Sequence, residues 1–109
     1  MIKSLSHKKD FARVAKFGQP FFASELGFKI LKNNLAQNRY GVVISLEIDK
    51  RAVVRNKIRR QIKEIIRLND KNLKQGFDLM FLVRESVKEL KYKEMEQKLL
   101  GLFKKAGLF

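Results

Sequence analysis

Apolar residues along this chain recur with two periods, one near 3.6 and one of 2, and the switches between them mark out helices and strands. From Ser6 to Phe17, "SHKKDFARVAKF" sets Phe11, Val14 and Ala15 on one helical face, with Ser6 placed to cap the start and Gly18 to stop the end. Gly18, Gln19 and Pro20 break that pattern. "FFASELGFKIL" then alternates, with Phe22, Ser24, Leu26, Phe28 and Ile30 on one side, and predicts a first strand. The polar, Asn-rich run "KNNLAQNR" is a loop, and "YGVVIS" reads as a short β-branched second strand suited to a central position. Arg51 to Arg67 predicts a helix, and the polar "LNDKNLKQG" leads from it to Gly76. "FDLMFLVR" alternates as a third strand. From about Lys91 onward Tyr92, Met95, Leu99, Leu102 and Phe103 fall at steps of three and four, a closing helix. The interval from Arg84 to Leu90 has room for a short extra strand. The order α-β-β-α-β-α in 109 residues predicts one α/β (α+β) domain spanning residues 1–109.

Charge adds what periodicity does not. The chain carries 25 Lys and Arg against 11 Asp and Glu, a formal net charge of +14, and such an excess repels itself unless a polyanion is near. With no Cys there is no disulfide framework, thiolate metal site or thiol nucleophile, which fits a reducing, cytoplasmic setting. The start "MIKSLSHKKDF" has no apolar core of a signal peptide, and no run reaches the roughly 20 apolar residues of a spanning helix, so no membrane role is expected. His7 is the only histidine, placed at the start of the first helix, and no carboxylate pair or Gly-rich elbow offers a catalytic group. Alone, this chain is expected to cut nothing.

The stretch "RAVVRNKIRRQIKEIIR" concentrates the charge. Wound at about 100° per residue, it gathers Val54, Ile58, Ile62 and Ile65 in a sector of roughly 80°, with Ile66 at the margin, and this face should meet the sheet. Arg55, Asn56, Arg59, Arg60, Lys63 and Arg67 spread over a second sector, with Lys57 apart. Arg55, Arg59 and Lys63, at steps of four, repel one another, and Glu64 is the single acid in the segment. Folding alone does not favour such a stripe. A partner with spaced phosphates does.

"AVVRNKIRR" also resembles the Arg-Asn-Arg signature of the bacterial ribonuclease P protein subunit. "KKDFARVAKFG", "RYGVVIS" and "YKEMEQKLLGLFKKAGLF" resemble that family's first helix, its central strand and its last helix, in the right order over nearly the whole chain. The resemblance implies a compact two-layer α/β sandwich whose β-α-β crossover is left-handed, where general rules favour the right hand. It implies a protein that pairs with a large catalytic RNA, one protein per RNA, in removing the 5′ leader of precursor tRNA. The RNA would hold Mg²⁺ and carry out the hydrolysis. By the same resemblance Arg51, Arg55, Asn56, Lys57, Arg59, Arg60, Lys63 and Arg67 are expected to face the catalytic RNA. Lys57 stands where the signature has its second Arg, with charge kept and the bidentate fork lost.

The family's leader cleft, between the first helix and the sheet, would here involve Phe11, ringed by Lys8, Lys9, Arg13 and Lys29. Phe11 reads either as a stacking platform for leader bases or as core. Two departures stand out: Ala15 occupies the place of the cleft's second aromatic, and Leu46 and Glu47 replace a Lys pair after the second strand, with Lys50 and Arg51 nearby to restore charge. Two other readings share the electrostatics: a ribosomal or ribosome-associated protein of similar fold, and a DNA-binding module reading a major groove with Asn56 and the arginines. No helix-turn-helix spacing precedes the basic helix, which argues against DNA.

Overall fold

The structure, a computed structural model, describes residues 2–109. Five strands form one sheet: β1 (Lys3–Ser4), β2 (Gln19–Phe22), β3 (Leu26–Lys32), β4 (Arg39–Val43) and β5 (Phe77–Val83). Across the sheet they run β1-β4-β5-β3-β2. Three helices complete the chain: α1 (Lys8–Phe17), α2 (Ala52–Asn69) and α3 (Tyr92–Lys105). β4 and β5 are parallel neighbours joined through α2, while β3 is antiparallel to both β5 and β2.

Alternation along β3 and β5 divides the side chains between two faces. Leu26, Phe28 and Ile30 with Leu79 and Phe81 face α2 and α3, whose Ile58, Ile62, Ile65, Ile66, Leu99 and Phe103 complete the main core. Phe28 sits 5.4 Å, centroid to centroid, from both Phe81 and Phe103, within the range of favourable aromatic pairs. The isoleucine face of α2 is thus where the periodicity placed it. α1 covers the opposite face, where Val14 packs with Leu5 and Met80 and is joined by Phe11, Leu31 and Leu82. Short 3-10 helices, not strands, take up the ends: Asp70–Asn72 after α2 and Glu85–Glu89 after β5.

Three expectations change. The single strand expected over "FFASELGFKIL" is a hairpin, folded where Ala23 N–H meets Leu26 O at 2.9 Å. That turn resets the alternation, so Phe22, opposite Gly27, lies on the α1 face and not with Phe28. The short strand expected between Arg84 and Leu90 is instead the second 3-10 helix, burying Val87. A short N-terminal strand pairs Lys3 and Ser4 with β4, unannounced in a polar segment. Helix α1 begins without the Ser6 cap: its N-cap is His7, with no side-chain bond. Gly18 does end it, in extended backbone, and a β-carbon there would meet Val14 O at 2.5 Å.

Candidate nucleic-acid interface

Two groups of basic side chains emerge, on opposite faces of the sheet. The first belongs to α2. Asp49, just before the helix, accepts the Arg51 backbone N–H at 2.9 Å and its Nε and Nη2 at 3.0 and 2.9 Å. Those bonds hold the Asp49 carboxyl well below the usual carboxylate range, and Lys88 adds its ammonium at 3.5 Å. Arg55 turns back, donating to the carbonyls of Asp49 and Lys50 at 2.9 and 2.8 Å. Arg51 and Arg55 therefore shape the entry to α2, with Arg51 still largely exposed, and Lys50 is an exposed cation of that loop whose side chain makes no bond among the described residues.

Further along, Arg59 donates to Asn56 Oδ1 at 3.0 Å, and Arg67 pairs with Glu64. Lys57, Arg60 and Lys63 are exposed and make no side-chain hydrogen bond or ion pair among the described residues. Arg59, Arg60 and Lys63 lie within about 100° of one another around the helix, from Arg59 beside Ile66 at the edge of the buried face to Arg60 opposite the isoleucines. The α2 stripe is thus partly self-satisfied at its ends and open in the middle.

The second group gathers at α1. Counting at about 100° per residue from the buried Val14, Asp10 and Arg13 fall on one flank of α1, and Phe11, Ala15 and Lys8 on the other. On the first flank lies an ion cluster that the sequence reading did not find. Asp78, fully buried on β5, receives Arg39 Nε on Oδ1 at 2.8 Å and Arg39 Nη2 on Oδ2 at 2.7 Å. Arg13 Nη2 adds a bond to Oδ2 at 3.0 Å, Asn33 Nδ2 one to Oδ1 at 2.9 Å, and Arg39 also meets Asp10 at 3.2 Å. Burial by itself would raise the Asp78 carboxyl, but the bonds and charges of Arg39, Asn33 and Arg13 outweigh it and hold it below its ordinary value. Nothing local announced this, because Asp78 and Arg39 are partners only through the β4–β5 register.

On the second flank the ring of Phe11 rests over Gly41 of β4, half-buried against the cluster of Leu5, Val14 and Met80. Phe11 is therefore both core and wall. Lys29, expected as a rim charge, instead donates its Nζ to Ala15 O at 2.8 Å, bracing the end of α1 to β3. Arg13 is likewise held by Asp78, so Lys8 and Lys9 are the exposed cations of the expected rim. A β-carbon on Gly41 would lie 2.5 Å from Phe11 Cε1. Gly41→Ala should therefore lift α1 or expel the ring, at a cost of about 1 to 3 kcal/mol in denaturant unfolding. An unchanged midpoint would show that the ring moves freely.

These features define a small basic α/β protein that displays cations from one helix and packs another, with its half-buried aromatic, on the opposite face of the sheet. The sequence model of the Ribonuclease P family matches residues 2–107, and the chain belongs to that family. A ribonuclease P protein component from Clostridium botulinum strain 657 is 42% identical over 102 residues, covering 93% of this chain and 91% of that one. The ribonuclease P protein of Thermotoga maritima superposes with a TM-score of 0.85 at 27% identity, over 94% of this chain and 96% of that one. That of Staphylococcus aureus reaches 0.89 at 24% identity over 100% and 99%, a likeness of fold. Superposition at this level requires the β4–α2–β5 crossover to run with the same hand in each chain. As a ribonuclease P protein component the chain serves tRNA processing within a ribonucleoprotein, and the ribosomal alternative is not favoured. No helix among the described residues is long and apolar enough to cross a membrane.

Proposed function

We propose that α2 docks on the catalytic RNA of ribonuclease P while the groove beside α1 receives the single-stranded 5′ leader of precursor tRNA. The observation that carries this is the run of unneutralised cations in the middle of α2. Arg59, Arg60 and Lys63 stand on a helix whose other face is locked into the core, so their spacing is fixed before any RNA arrives. Each phosphate they neutralise releases condensed counterions. Arg51, Arg55 and Asn56 support the same surface by shaping the loop and orienting Arg59, with Lys57 and Arg67 at its borders.

Chemistry in this reading belongs to the RNA, with Mg²⁺ held there. The buried carboxylate of the protein is ill suited to a divalent ion, because four donors from Arg39, Arg13 and Asn33 already occupy the oxygens of Asp78. The protein contributes position and charge and does not cut by itself, one copy acts per RNA, and the setting is cytoplasmic. Reconstitution with a bacterial ribonuclease P RNA at low Mg²⁺ tests this directly. Precursor tRNA cleavage should rise when the protein is added, with no cleavage by protein alone. Equal rates with and without it would overturn the proposal.

A further inference from the structure

The groove beside α1 has a floor as well as a wall. In the antiparallel register Phe22 faces Gly27 and Gly27 faces Leu82, while Val43 of β4 pairs with Leu82 in parallel. Directly opposed residues share a face, so Phe22, Gly27, Leu82 and Val43 form one row across four strands. The row lies on the α1 side, one step beyond Lys29, Met80 and Gly41. It is also on the flank of α1 that carries Phe11 and Ala15, since Asp10 and Arg13 turn the other way toward Asp78 and Arg39.

Phe22 is 37% exposed and Val43 38%. Isolated apolar residues on a surface call for no explanation, but this row is continuous and runs along a basic groove. Gly27 allows it: a β-carbon there would collide with Cγ and Cδ1 of the Phe22 ring and with the Phe21 carbonyl. The ring thus lies on bare backbone, pinned on one side and open on the other. Cations border it, with Lys8 on the same flank of α1 and Arg84, in extended backbone two residues past Leu82, on the same face of the sheet. A single-stranded polyanion with bases to stack suits this chemistry better than an apolar partner does.

We infer that Phe22, seated on Gly27, is a second aromatic platform of the groove and stacks a base of single-stranded RNA, the role Ala15 cannot fill from α1. The inference rests on the reading of the groove as the leader site. Phe11 sits over β4 and Phe22 on β2, three strand spacings away, or about 14 Å. One base cannot touch both rings, so they take different nucleotides of the leader.

The test uses protein reconstituted with ribonuclease P RNA and non-cleavable precursor tRNAs whose leaders are shortened stepwise, with mature tRNA as the reference. Phe22→Leu keeps apolar volume and removes the ring. It should weaken leader-bearing tRNA roughly 5- to 150-fold, from the usual worth of base–aromatic stacking, leave mature tRNA unchanged, and be rescued by Phe22→Tyr. The Phe22→Leu effect should vanish at a different leader length from that of Phe11→Leu. Wild-type affinity in Phe22→Leu, with leader discrimination intact, overturns the platform and spares the groove. Equal binding of leader-bearing and mature tRNA by the wild type overturns the groove reading itself.

A wild-type homodimer that Phe22→Leu dissociates would show that a second copy covers the row, and would also overturn the inference. The chain has no Trp, so Phe22→Trp supplies a single indole on the platform, excited selectively beyond the tyrosine band. Its emission should be quenched by leader-bearing tRNA and not by mature tRNA. Unchanged emission with both substrates counts against stacking even if the leucine variant fails to fold.

Discussion

Asp78→Ala is expected to destabilise the protein by about 3 to 5 kcal/mol, the range for a buried ion pair stripped of one partner. Its carboxylate is inaccessible to solvent and accepts four hydrogen bonds from three residues. Those residues sit on different elements: Arg13 on α1, Arg39 on β4 and Asn33 in the loop after β3. Removing the carboxylate leaves the Arg39 guanidinium, only 17% exposed, without its main counter-charge, and Asp10 at 3.2 Å replaces one bond at most. Arg13, at 39% exposure, can turn to water, so the cost falls mainly on Arg39. Against a total stability of about 5 to 15 kcal/mol for an ordinary domain, such a loss is large.

Acid should erase the difference. A carboxyl held below its ordinary value contributes stability that is full above the unfolded value, about 3.9, and lost as pH falls through the folded one. Wild type and Asp78→Ala should therefore converge in denaturant midpoint below about pH 4 and diverge above it. A gap under about 1 kcal/mol at neutral pH would mean that both arginines find water without rearrangement.

The core half of this architecture was legible because it is written in local periodicity. Ile58, Ile62, Ile65 and Ile66 had to share a face once α2 formed, and Leu79 with Phe81 had to share one once β5 did. What local pattern could not supply was register and turns. Phe22 alternates in phase with Phe28 if the chain runs straight, and only the hairpin at Ala23–Leu26 puts it on the other face. Asp78 alternates with Phe77 and Leu79 along β5, and nothing in "FDLM" tells that α1 lies over its side of the sheet. For the candidate site, the positions of the α2 cations followed from helix geometry, whereas their availability did not. Arg55 proved to be spent on two loop carbonyls and Lys29 on the end of α1, bonds between residues 5 to 14 positions apart.

That difference between position and availability selects the residues for the last test. Arg59→Ala, Arg60→Ala and Lys63→Ala, combined, should weaken binding to the ribonuclease P RNA on the order of tenfold to a hundredfold at physiological salt. The slope of log affinity against log salt should flatten by about 2 to 2.7, three contacts at roughly 0.7 to 0.9 each. Arg55 is left in place because its loss would disturb the entry to α2 as well as the charge. The folded protein, by contrast, should not suffer. Arg55, Arg59 and Lys63 stand at steps of four and repel one another, alanine has the highest helix propensity, and the isoleucine face is untouched. The thermal midpoint should hold or rise slightly while RNA affinity drops. A variant that binds RNA with the wild-type affinity and salt slope would exclude α2 as the docking surface. A variant that loses both stability and binding would show these cations to be structural, although none of the three has an acidic partner among the described residues.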